Sequence, residues 1–174
     1  ALLDLVNLLL EAPEHPTSVA ILSECTLHLI IMLNPDGAQH WSRRNAQNLD
    51  INRDALHLQT PEGRLLRAVV EKLKPDYALN LHNQRPRTTV ADTQQVASLA
   101  LLVPPIDEAE TNTENVTRAK RLAGYIAEEV APYCPGPVSR YNADFMPRCF
   151  GEWVQQQGAS TITIEAGGWT DIAA

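Results

Sequence analysis

Residues 34–54 read NPDGAQHWSRRNAQNLDINRD. The stretch opens on a turn signature, Asn34-Pro35-Asp36-Gly37, passes through arginines and amides, and closes on Asn52-Arg53-Asp54. It follows one of the most apolar runs of the chain, Thr26 to Leu33. An apolar strand that delivers its chain into a cationic, amide-rich loop is how α/β enzymes build ligand sites at strand ends. The fixed donors are Arg43, Arg44 and Arg53, with the Asn52 amide beside them. Arginine forks suit carboxylates and phosphates.

Working outward, Glu24 to Leu33 predicts a buried strand that the NPDG turn ends. Before it, residues 1–11 carry a Leu and Val stripe and predict a helix, and Glu11 to Ser18, with Pro13 and Pro16, predicts a loop. After it, residues 38–60 have no regular period. Thr60-Pro61 predicts a helix start, Thr as N-cap and Pro at the first position, and Pro75 stops that helix after Lys74. Asp76 to Leu81 predicts a short strand ending at His82. The order of elements over 26–82 predicts a βαβ unit with parallel strands. Residues 83–95 predict a long polar loop, Val96 to Val103 a strand, Asn112 to Ala131 an amphipathic helix, and Pro132 to Pro147 a loop. Phe150 to Gln157 predicts a helix stopped by Gly158, and Ala159 to Ile164 a strand ending on Glu165. The fold class is α/β, a mostly parallel or mixed sheet covered by helices, in one domain over 1–174.

Bulk composition narrows the function. A net charge of −7 over 174 residues argues against general nucleic-acid binding, so the arginine-rich loop is a local cationic site suited to a small anion. Cys25, Cys134 and Cys149 are far apart, which excludes a disulfide framework and a cysteine-built zinc site and leaves the compartment open. No apolar run approaches the roughly 20 residues that span a bilayer.

Chemistry-capable groups stand at three predicted strand ends: the 34–54 loop, His82 and Glu165. Glu165 leaves a strand with no other charge after Gly158, which suits a half-buried general acid or base. On local sequence alone, a Glu that caps a helix or pairs with an arginine fits equally well. His82 fits a metal ligand or a hydrogen-bonded strand-end histidine. Arg53 fits a ligand fork or a structural ion pair with Asp50 or Asp54, and Asp54 reads most simply as a partner that supports Arg53.

Taken in order, these features are NPDG, then R-x-N at Arg43-Arg44-Asn45, then D-x-N-R from Asp50 to Arg53, then strands ending on His82 and on Glu165. The set resembles the catalytic domain of the zinc carboxypeptidases, the metallocarboxypeptidase A/B-like family, over roughly residues 1–168. The resemblance implies a three-layer, phosphorylase/hydrolase-like sheet. It implies hydrolysis of the C-terminal peptide bond of a peptide by a Glu-activated, zinc-bound water. His82 matches a zinc ligand and Glu165 the general acid/base. Arg43 matches the arginine that polarises the scissile carbonyl. Asn52 and Arg53 match the clamp on the substrate's terminal carboxylate, and Tyr141 the substrate-capping tyrosine. The family's H-x-x-E zinc motif has no counterpart: three positions after His15, His28, His40, His57 and His82 stand Ser18, Ile31, Arg43, Thr60 and Arg85.

The expectation is therefore the C-terminal part of such a domain. Its N-terminal strands and two of three zinc ligands would lie upstream of Ala1, and the chain alone would hold zinc weakly and show little activity. Two other readings use the same clamp. One is an amidohydrolase acting on N-acyl amino acids, desuccinylase-like. The other is a non-catalytic carboxylate-binding module that has lost its metal site.

Overall fold

The computed structural model of the chain describes residues 2–84, 88–142 and 144–167. Within these, the chain divides into two units, residues 1–48 and 49–174.

The first unit is helical. α1 (Leu2–Glu11) is followed by α2 (Pro16–Glu24) and α3 (Pro35–His40). α2 occupies part of the predicted loop because Pro16 stands at the first helical turn, where a missing N–H costs nothing, and His15 Nδ1 accepts from Thr17 N–H at 3.2 Å. The NPDG signature likewise starts a short helix, with Asn34 Oδ1 accepting from Gly37 N–H at 2.9 Å. Residues 26–33 correct the sequence reading most sharply. They form no strand, so the predicted βαβ unit over 26–82 does not exist among the described residues. Strand composition sets only a preference, and a strand exists through a neighbour's ladder. No described segment pairs with 26–33, whose Leu27, Ile31 and Met32 stay 40%, 44% and 59% exposed.

The second unit holds the sheet. Its elements are a 3-10 turn (Ile51–Arg53), α4 (Pro61–Leu73), β1 (Tyr77–Asn83), β2 (Leu99–Leu102), α5 (Glu114–Val130), β3 (Val138–Arg140), α6 (Phe150–Gln156) and β4 (Ser160–Ala166). α4 begins as its sequence predicts: Thr60 Oγ1 accepts from Gly63 N–H at 2.9 Å with Pro61 at the first turn. It ends with Lys74 in the left-handed region, just before Pro75. The strands lie in the order β1-β4-β2-β3, with β1 parallel to β4, β2 antiparallel to β4, and β3 parallel to β2. β3, only three residues long, lies inside a predicted loop. Of the predicted polar loop over 83–95, residues 85–87 lie outside the described residues.

Helices cover both faces. Ile162 of β4 is fully buried with Leu101 of β2 and Ala119 of α5, and Leu99, Leu122, Ile126 and Ile164 pack around them. Strand side chains alternate faces, so Thr161, Thr163 and Glu165 point to the opposite side. α6 lies there: a Cβ on Gly151 would sit 3.6 Å from Thr163 Oγ1, and Gln155 Oε1 accepts from Thr161 N–H. The mixed α/β sheet flanked by helices agrees with the predicted fold class. Among the described residues no helix is long and apolar enough to cross a membrane.

Candidate active site

His82 and Glu165 are register partners on adjacent parallel strands. Both stand one residue before the carboxyl end of their strand rather than beyond it. Their side chains share a face, with His82 Nδ1 3.9 Å from Glu165 Oε1 and both groups mostly buried. The sequence order of apolar residues produces this directly. In β1 the exposed positions are Tyr77, Leu79, Leu81 and Asn83, so Asn80 and His82 take the covered face. β4 is flanked on both edges by β1 and β2, so the Glu165 backbone is fixed from two sides.

Asn52 and Arg53 belong to the same face through α6. The 3-10 turn that carries them follows Asp50, whose Oδ1 accepts from Asn52 N–H at 3.0 Å. Asn52 Oδ1 then accepts from Phe150 N–H at 3.1 Å, supplying from elsewhere in the chain the cap that Cys149 does not provide. With its amide oxygen used, the Asn52 NH2 is the end that remains to donate. Arg53 Nη1 donates to Asn52 O at 2.8 Å and to Cys149 Sγ at 2.9 Å. Arg148 Nε donates to Arg53 O, and Ala55 N–H to Arg148 O, which completes the stitching of the turn to the loop before α6. One side of the guanidinium is thus fixed by the protein, and the remaining N–H groups form a fork edge suited to a carboxylate.

Asp54 does not serve Arg53 in the way its position suggests. It is 4% exposed, and its carboxylate accepts from Gln59 N–H, Thr60 N–H and the Thr60 hydroxyl. Burial pushes its pKa up, but these hydrogen bonds outweigh burial and the result lies below the ordinary carboxylate range.

A buried charge that sequence reasoning missed is Glu152, in the first turn of α6, only 6% exposed and within electrostatic reach of Arg53. Burial raises its pKa; the Arg53 charge and hydrogen bonds, including one from Met146 N–H, oppose that and do not cancel it. Glu152 is 99 positions from Arg53, and no local signal joins them. The raised pKa fixes the sign of a stability effect. The protonated form suits the folded state, so this contribution is present at pH below the unfolded pKa. It is lost as pH rises through the folded, raised value. In urea melts at successive pH values above the ordinary Glu range, Glu152→Gln should gain stability relative to the native sequence as pH rises.

Two predicted residues belong to other elements. Tyr141 follows β3, at the far edge of the sheet, and its N–H donates to Leu101 O. β3 lies two strands from β4, and Arg140, next to Tyr141, is level through Leu101 with Ile164, one position along β4 from Glu165. Arg43 belongs to the first unit, where its carbonyl accepts from Asn34 Nδ2 at 3.3 Å. For zinc, the described residues contain no group of three His, Cys, Asp or Glu side chains that could hold a metal ion. A catalytic zinc takes about three protein ligands, so His82 and its surroundings do not make a zinc site by themselves. Cys25, Cys134 and Cys149 form no disulfide.

No family model and no curated protein matches the sequence. Among solved structures, the chain is similar to one described as "putative carboxypeptidase A" from Shewanella denitrificans, with a TM-score of 0.68 at 16% identity. The match covers 94% of this chain and 42% of that one. At this identity the likeness establishes a carboxypeptidase-like fold. The chain spans less than half the length of that protein.

Proposed function

We propose that this chain carries the proton-transfer and carboxylate-recognition groups of a hydrolase that cleaves the last peptide bond of a peptide, a metallocarboxypeptidase. The observation that carries the reading is the shared face. Glu165 and His82 stand 3.9 Å apart at the carboxyl ends of adjacent parallel strands. The Asn52–Arg53 pair is docked on the helix that covers that same face. The carboxypeptidase-like fold supports it.

In this reading Arg53 and the Asn52 NH2 hold the substrate's terminal carboxylate, which places the preceding carbonyl toward Glu165. Glu165 takes a proton from the attacking water and returns it to the leaving amine. The proposed zinc would take His82 as one ligand and two others from polypeptide beyond the described residues. Since the residues described do not complete such a site, no step is assigned to the metal.

The test is a substrate panel on full-length protein, with zinc content measured on the same sample. A peptide with a free C-terminus should lose its last residue, and the same peptide amidated should not. Arg53→Gln should raise KM by about 10–100-fold, the loss of a charge-assisted carboxylate contact, with a smaller change in kcat. Turnover of N-acyl amino acids but not peptides would replace the peptidase by the amidohydrolase. Carboxylate binding with no turnover of either, and no zinc, would replace both by a binding module.

A further inference from the structure

The sheet's other face carries a cavity of about 420 Å³ between α5 and the β2–β3 edge. That lies within the roughly 300–1,000 Å³ of small-molecule sites. Its wall is apolar where it meets the core, at Leu101, Val116, Ala123 and Ala127. Small residues on α5 leave the space: a Cβ on Gly124, also in the lining, would meet no atom within 4 Å.

Two cations border this space. Arg140 is the register partner of Leu101 on a parallel strand, and Leu101 packs toward Ala119 of α5. Register partners point to the same face, so Arg140 lies on the α5 side, in the cavity lining. Among the described residues its guanidinium has no hydrogen bond and no ion pair. Lys120, one turn of α5 beyond Val116, lines the same space, and its ammonium donates to Asn112 Oδ1. Glu110 is the one carboxylate in the lining, so the cations outnumber it on a chain whose net charge is −7. An apolar chamber bordered by an unpaired guanidinium is complementary to an amphipathic anion and not to a neutral or a purely ionic ligand.

We propose that this cavity binds a small amphipathic monocarboxylate, its apolar tail against the α5 wall and its carboxylate on Arg140 with Lys120 beside it. The site is independent of the Glu165 face, because Glu165 and Ile162 stand on opposite sides of β4. Decanoate below its micelle concentration is the probe, followed by titration calorimetry, with decanol and acetate as controls. Saturable one-to-one binding of decanoate is expected, with decanol at least about tenfold weaker, since the carboxylate contact is lost, and acetate weaker still. Arg140→Gln should weaken decanoate about tenfold by the same argument. Gly124→Leu, a helix-compatible change that fills the chamber, should abolish binding with the circular dichroism spectrum unchanged. Arg53→Gln should leave binding unchanged. Equal binding of decanol and decanoate, no effect of Arg140→Gln, loss of binding in Arg53→Gln, or no saturable binding by folded protein would each overturn the proposal.

Discussion

Glu165→Gln in full-length protein is expected to lower kcat on a free C-terminal peptide by about 10²–10⁴-fold, the range a positioned general acid/base supplies. KM should change little, because the proposed Asn52–Arg53 clamp is built on other elements. The substitution is chosen for what it leaves alone. Glu165 sits on a strand hydrogen-bonded on both edges, so its backbone position does not depend on the side chain. Glutamine keeps the volume and can still hydrogen-bond beside His82 but cannot accept and return a proton at neutral pH. A large fall in kcat with an unchanged melting curve assigns proton transfer to this group. Retained kcat would remove Glu165 from the chemistry and leave it as a strand-end partner of His82.

The second large effect is on stability. Asp54→Ala should cost about 3 kcal/mol, the sum expected when buried N–H groups lose a charged acceptor. Asp54 accepts from Gln59 N–H and Thr60 N–H at 2.8 Å each and from the Thr60 hydroxyl at 2.7 Å. That hydroxyl oxygen in turn caps α4 at Gly63. Removal of the carboxylate strands two N–H donors and releases the capping residue together. Because hydrogen bonding holds the Asp54 carboxyl below its usual range, its contribution is present above the unfolded pKa and is lost as pH falls through the folded value. Asp54→Asn should therefore weaken the acid dependence of unfolding, read by chemical denaturation at successive pH values. Gly63 enforces the same network from the other side: a Cβ there would lie 2.8 Å from Asp54 Oδ2 and 2.9 Å from Thr60 Oγ1. Gly63→Ala should destabilise the protein despite alanine's higher helix propensity, because the added methyl strikes a buried carboxylate.

Local chemistry made parts of this fold legible. Thr60-Pro61 marks the start of α4 and Pro75 its end, because caps and proline act within a few residues. Alternation in 77–83 and the apolar run before Glu165 mark β1 and β4, and these two strands alone place His82 and Glu165 on one face. Other parts were not legible, for physical reasons that differ. Residues 26–33 have strand composition, but a ladder needs a second strand, and composition does not say whether one is present. The helix at Pro16–Glu24 was masked by reading Pro13 and Pro16 as loop formers, although a proline in the first turn is compatible with a helix. β3 is too short to show a period. The site's deepest contacts, Asn52 to Phe150 and Arg53 to Cys149, join residues 98 and 96 positions apart. Such pairings are tertiary, so Glu152, within electrostatic reach of Arg53, carried no signal in the sequence.

In the proposed function, Asn52 and Arg53 hold a substrate's terminal carboxylate so that Glu165 acts on the bond next to it. Mass spectrometry of one peptide in free-acid and C-terminally amidated forms, incubated with full-length protein and with its Arg53→Gln variant, tests it most directly. Release of the last residue from the free acid only is expected, with much slower release at low substrate by the variant. Equal cleavage of both forms, or cleavage indifferent to Arg53, would contradict it.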